Sequence, residues 1–324
     1  MNICIYGAGA IGTWLGAGLA QAGCSVSVVV RGAALAAIQT HGLTRIDSSG
    51  RSSFKVAVSD SPADLGVHEV VIIAVKAPAM AGIAAQLAPL IDKNTLVMTA
   101  INGVPWWFLN GFGGSYAGTR LHSIDPQGSI AAAIPTAQVV GCVVHASCSQ
   151  PSAGVAQHHF GNGLIVGEPN GERSARVQAL AAMLLKAGFN ASVSDCIQRD
   201  VWFKLWGNMT VNPLSAITGA TTDKVLDDDL LRGFASNVML EAKAIGAQLG
   251  IAIDQSPEDR HAVTRKLGAF KTSMLQDVQA GKGIELDALV TAVRELGAVT
   301  GVATPFTDAL LGLTRVFAKQ RGIY

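Results

Sequence analysis

Residues 2 to 6 (Asn-Ile-Cys-Ile-Tyr) form a short apolar run that stops at Gly7, and beyond Gly12 the positions Trp14, Leu15, Gly18, Leu19 and Ala22 recur at helical spacing. The pattern predicts strand, turn, helix. Cys24 to Val30 is rich in β-branched residues and ends at Arg31-Gly32, so a second strand is expected about twenty residues after the turn, completing a βαβ unit. Further strands are expected at Glu69 to Val75 and Thr95 to Ala100, separated by an alanine-rich helix, Met80 to Leu90. Such alternation makes a parallel sheet. From Val139 to Glu168 the pattern breaks into short β-like pieces, read as antiparallel strands that finish a first domain. After Ser194 the apolar spacing is almost wholly helical, with candidate helices at 199–211, 230–249, 257–279, 285–300 and 305–320 divided by Gly or Pro. The chain is therefore read as α/β, an N-terminal parallel-sheet domain over 1–194 followed by an all-α domain over 195–324.

Composition narrows the class. A chain of 324 residues is long enough for two cores, and 49% hydrophobic against 15% charged residues, with 36 glycines, suits helices packed closely on a sheet. Lys plus Arg (24) nearly balances Asp plus Glu (23), which leaves no long-range field to draw nucleic acid or an anionic membrane. Cys4, Cys24, Cys142, Cys148 and Cys196 are an odd number without a CxxC pair, a poor disulfide framework and a poor zinc site. Ile3 to Ala22 is apolar but has no basic leader, and its glycines sit where a turn needs them. A soluble cytoplasmic protein is expected, without a metal.

Gly7-Ala8-Gly9-Ala10-Ile11-Gly12 fits G-x-G-x-x-G, in which the first glycine makes a tight turn, the second lets a pyrophosphate approach the backbone, and the third lets helix pack on strand. Backbone N–H groups and the helix dipole supply the attraction. The motif alone is weak; its place between a strand and a helix, with a second strand at the expected distance, makes this a Rossmann-type dinucleotide site. Arg31 stands at the tip of that second strand, where an NAD enzyme usually carries Asp or Glu. A guanidinium there pairs with a 2′-phosphate, so NADPH is the expected cofactor. Lys76 and Asn102 end the next two strands and are placed near the cofactor by topology.

In the helical half, Lys204, Asn208 and Asn212 recur every four residues and share one face. Ser273 and Asp277 are also four apart, and a break at Gly281-Lys-Gly leads to a helix opening with Glu285, where an acidic residue has an ordinary explanation in the helix dipole. His158 and His159 invite a metal, but neighbours on a strand point to opposite faces.

With these pieces in place the chain resembles the ketopantoate reductase (2-dehydropantoate 2-reductase) family nearly end to end. The matching segments are Gly7 to Gly12, Arg31, Val75-Lys76, Asn102-Gly103, Lys204-x3-Asn208-x3-Asn212-Pro213, and Ser273-Met-Leu-Gln-Asp277 with Glu285 downstream. The resemblance implies that Lys204 is the proton donor, that Asn208, Asn212 and Ser273 hold the substrate, and that Glu285 lines the junction of cofactor and substrate. It also implies cofactor contacts from Lys76, Asn102 and Ala146. The chemistry agrees, since hydride arriving at a 2-oxo carbon creates an alkoxide that a lysine can both stabilise and protonate. Two departures bear on the substrate. Thr222 stands where many members place a substrate-binding asparagine, and the stretch from Pro105 to Pro135 is longer than in compact members. The leading expectation is NADPH-dependent reduction of ketopantoate to pantoate. A different 2-oxo acid on the same scaffold, or a non-catalytic NADPH-binding sensor, are the alternatives, and the apolar stripes of the last two helices serve either as core or as support for a homodimer.

Overall fold

The computed structural model describes all 324 residues, which gather into two compact units. One comprises Met1–Ile101 and Gly128–Ile197, the other Asn102–Gln127 and Gln198–Tyr324.

In the first unit, β1 (Asn2–Tyr6), α1 (Ala10–Gln21) and β2 (Ser25–Val29) follow the apolar pattern closely. Then come α2 (Ala33–His41), the hairpin β3 (Leu43–Asp47) and β4 (Gly50–Phe54), β5 (Ala57–Ser59) and β6 (Val70–Ile73). The chain continues through α3 (Met80–Ala84), β7 (Leu96–Thr99), α4 (Ser129–Ala133), β8 (Val139–Ser152), β9 (Val155–Gly167), α5 (Ala175–Lys186) and β10 (Asn190–Val193). The strands form one ten-stranded sheet in the order β4-β3-β9-β8-β7-β6-β1-β2-β5, with β10 also on β9. It is mixed and mostly parallel. β1 runs parallel to β2 and β6, while β8 and β9, long strands rather than short pieces, pair antiparallel, as do β3 and β4. Ile3, Ile5, Leu15, Leu19, Val28 and Ile72 are fully buried between sheet and helices. The strand order reverses at β1, and in open sheets ligands bind outside the carboxyl ends of strands at such a point.

The expected helix over 80–90 is shorter. After α3, a 3-10 turn covers Ala88–Leu90, where Pro89 has no backbone N–H with which to continue an α-helical ladder.

The second unit is built from α6 (Ile197–Thr218), α7 (Thr222–Asp227), α8 (Asp229–Gln248), α9 (Pro257–Arg265), α10 (Ser273–Gln279), α11 (Ala292–Thr300) and α12 (Pro305–Gln320). Helix α6 runs past the expected end at 211, through Pro213. Proline inside a helix costs about 3 kcal/mol, here offset by burial of every residue from Asn212 to Ala216. Trp202 and Trp206 are buried and their indoles donate to the α8 carbonyls of Ala242 and Met239, at 3.2 and 2.7 Å. The expected helix 257–279 is two. Gly268 takes a φ of 61°, and the Thr272 side chain accepts from Leu275 N to start α10 afresh. The expected helix at 285 opens instead through a π turn, Asp287–Thr291, before α11.

Residues 102–127 interrupt the sheet unit in sequence, between β7 and α4, but belong to the helical unit, a different division from an unbroken 1–194 domain. Val104 N donates to Ala288 O at 2.9 Å, Glu295 accepts from the backbone of His122 and Ser123, and Trp106, Trp107, Phe108 and Leu109 are buried. No helix is long and apolar enough to cross a membrane.

Candidate active site

The three motif glycines behave differently, and the differences match their chemistry. Gly7 has a φ of +99°, and a Cβ there would stand 2.6 Å from Val75 Cγ1. Only glycine turns the chain so sharply at the end of β1. A Cβ on Gly12 would meet the carbonyl oxygen of Gly7 at 1.9 Å, so this residue lets α1 start directly against the strand end. A Cβ on Gly9 would meet nothing within 4 Å. The space is open at the one position where a pyrophosphate must come close to backbone. Gly9 precedes the first residue of α1, whose first turn, from Ala10 through Ile11 and Gly12, carries no acidic side chain. The leading N–H groups of a helix have no intrahelical acceptor and attract anions. The Ala8 carbonyl is held by Gln150 Nε2 at 2.7 Å and Thr13 Oγ1 at 3.2 Å, which fixes the turn from below. Gln150, from β8, is absent from the motif and reaches it only through the sheet. These residues fit a dinucleotide.

Arg31 is exposed just beyond β2, close enough to act electrostatically on the Tyr6 hydroxyl. Lys76 is half-buried after β6 and precedes the 3-10 turn Ala77–Ala79. Ala146 is half-buried at an irregularity of the β8–β9 pairing between His145 and Ser147.

In the second unit, Lys204 Nζ donates to Asn102 Oδ1 at 2.8 Å, and Asn102 Nδ2 points to Glu285 Oε2 at 3.5 Å. One amide thus sits between a cation and a carboxylate, its oxygen toward the lysine and its nitrogen toward the glutamate, the assignment this network requires. The three residues are 102 and 183 positions apart in sequence. Glu285 is only 8% exposed, and Asn102-Gly103 is pressed on the π turn. A Cβ at Gly103, whose φ is +81°, would lie 2.4 Å from Ala288 O. A π turn places an extra residue in a helix and recurs at functional sites; here its Ala288 carbonyl receives Val104 N and so anchors the Asn102 turn.

Along α6, Asn208 is half-buried and Asn212 is 7% exposed, on the face that carries Lys204. Ser273 is exposed in the first turn of α10. Thr222 is buried, and its hydroxyl donates to Gly268 O at 2.9 Å while its N–H donates to Phe270 O at 3.0 Å, so it secures the turn between α9 and α10. The structure therefore unites Lys204, Asn102 and Glu285 by direct contact, keeps Asn208 and Asn212 on the lysine's face, and engages Thr222 with backbone.

The family model for ketopantoate reductase PanE/ApbA matches residues 3–171, and that for its C-terminal part matches 196–318. A 2-dehydropantoate 2-reductase of Mesorhizobium japonicum is 43% identical over the whole of both chains. Among solved structures, a provisionally assigned ketopantoate reductase from Ralstonia solanacearum MolK2 is 53% identical with a TM-score of 0.96, covering 100% of this chain and 99% of that one. A D-mandelate dehydrogenase holding NADH and anilino(oxo)acetate shares the fold over the full length of both chains, with a TM-score of 0.86 at 21% identity. With both halves matched and a full-length relative at this identity, the chain belongs to the ketopantoate reductase family.

Proposed function

We propose that the protein is an NADPH-dependent 2-dehydropantoate 2-reductase that reduces ketopantoate to pantoate. The observation that carries this is the Lys204–Asn102–Glu285 array in the helical unit, a proton donor held by an amide beside a buried carboxylate. The glycine turn Gly7 to Gly12 would hold the pyrophosphate, Arg31 the 2′-phosphate, and Lys76 and Ala146 further parts of the cofactor, with Asn102 and Glu285 at its reactive end. The nicotinamide, when bound, supplies the hydride. Lys204 stabilises the charge that develops on the 2-oxo oxygen and delivers a proton to it. Asn102 accepts one of the ammonium's three protons and so aims the group; Glu285 fixes the amide and favours the charged lysine. Asn208, Asn212 and Ser273 would orient the substrate.

Thr222 favours one second reading. It is buried and gives its one hydroxyl proton to Gly268 O, so it has none to donate to a substrate's hydroxyl end, which supports reduction of a related 2-oxo acid without that end. Following NADPH absorbance with a panel of 2-oxo acids tests both. Turnover of ketopantoate far above the rest supports the first; preference for an acid without the hydroxyl supports the second; cofactor binding without turnover of any acid defeats both. Lys204→Ala is expected to lower kcat about 10²- to 10⁴-fold with the cofactor Kd unchanged, and a loss under about threefold would remove Lys204 from the proton-donor role.

A further inference from the structure

Arg260 projects from α9 onto α6. Its guanidinium carbon stands 5.2 Å from the centre of the Phe203 ring, and a Cβ on Gly207 would come within 2.7 Å of its Nε and 2.8 Å of its Nη2. The missing side chain at Gly207 is what lets the guanidinium lie against the helix. Gly207 follows Lys204 by three residues and precedes Asn208 by one, so the guanidinium flanks the polar face of α6.

The surroundings leave this cation short of an anion. Arg45, Arg176, Arg265 and Arg294 each pair with a carboxylate of the chain, whereas Arg260 pairs with none, and its Nε is buried without a hydrogen-bond partner. Burial also pulls its pKa below the usual arginine value. Arg260 is half-buried, and a guanidinium partly withdrawn from water without a counter-charge is tolerated where a ligand brings that charge. Its planar fork, stacked on Phe203, suits the two oxygens of a carboxylate. In a 2-oxo acid the carboxylate is bonded to the carbon whose oxygen Lys204 would protonate, so a cation beside the polar face of α6 matches a charge next to the reacting carbonyl.

We propose that Arg260 is the specificity-determining residue that binds the substrate carboxylate, with Gly207 as the gap that admits it. This rests on the 2-oxo acid reductase reading above. The test compares wild type, Arg260→Met and Gly207→Ala as NADPH-loaded enzymes, with ketopantoate and its neutral methyl ester as probes, by turnover and by titration calorimetry. Gly207→Ala keeps Arg260 and favours the helix, so it displaces the guanidinium without removing the charge. The expected result is that both variants raise KM and Kd for the acid at least tenfold while changing those for the ester less than threefold. Equal losses for acid and ester, no loss for either, or no binding of the acid by wild type would overturn the proposal. Wild-type turnover with unaffected variants leaves the reductase reading standing and removes Arg260; binding that depends on Arg260 without turnover removes the reading and keeps Arg260.

Discussion

Lys204 donates to an amide oxygen, and this makes Asn102 a residue whose loss tests orientation while the lysine's charge stays in place. Asn102→Ala keeps the lysine but removes the acceptor at 2.8 Å, a charge-assisted bond whose loss typically costs about 1.5–3 kcal/mol. The expected outcome is a fall in kcat of roughly 10- to 100-fold with a smaller change in KM, read from steady-state kinetics. In the sheet unit, Arg31 is exposed at the tip of β2 and free of secondary-structure duties. Arg31→Ala should raise the KM for NADPH about tenfold or more and leave that for NADH within about threefold. A wild-type preference for NADH would refute the role. Arg31 was legible in the sequence because its position follows from a local count along β2. The contact of Asn102 with Lys204 was not, since no local spacing links residues 102 apart.

At the scale of elements, the turn between β1 and α1 divides its work among three glycines, and two substitutions tell them apart. Gly12→Ala forces a methyl to within 1.9 Å of a backbone carbonyl that cannot move without dragging the strand end, an overpacking cost of about 1–3 kcal/mol or more. Its Tm should fall by several degrees. Gly9→Ala puts the methyl into open space, so its Tm should stay within about two degrees of wild type while cofactor affinity falls at least tenfold. Equal Tm losses in the two variants would contradict this division. Elements whose ends depend on a cap or a proline were placed less well by the pattern. The 257–279 periodicity ran across Gly268 and the Thr272 cap, and the residues before Pro213 stayed helical because burial on all sides outweighs the proline.

For the whole molecule, each unit carries a buried histidine. His68 of the sheet unit is 2% exposed with Nδ1 2.7 Å from Gly66 O, and His261 of the helical unit is 3% exposed with Nε2 3.0 Å from Ser236 Oγ. Burial lowers both pKa values from 6.5. Above the unfolded value both states are neutral; below it the unfolded chain takes up protons that the folded chain resists. Stability present above about pH 6.5 is therefore lost as pH falls through the folded pKa values. The urea midpoint should drop between pH 7 and pH 5.5, and replacing either histidine by glutamine should flatten that slope. An unchanged slope in both variants would show that neither group carries it.

The sequence by itself determined what short-range physics controls. The β1-turn-α1-β2 succession, the chemistry of Gly7 to Gly12, and the common face of Lys204, Asn208 and Asn212 all follow from periods of two and 3.6 residues and from the sterics of single positions. Tertiary structure alone decided which distant pieces meet. It turned the region from Val139 into a long antiparallel pair, lent residues 102–127 to the helical unit, set Asn102 between Lys204 and Glu285, and laid Arg260 on the gap at Gly207. Each of these depends on the burial of apolar surface between segments far apart in the chain, and such burial leaves no periodic trace in either segment alone.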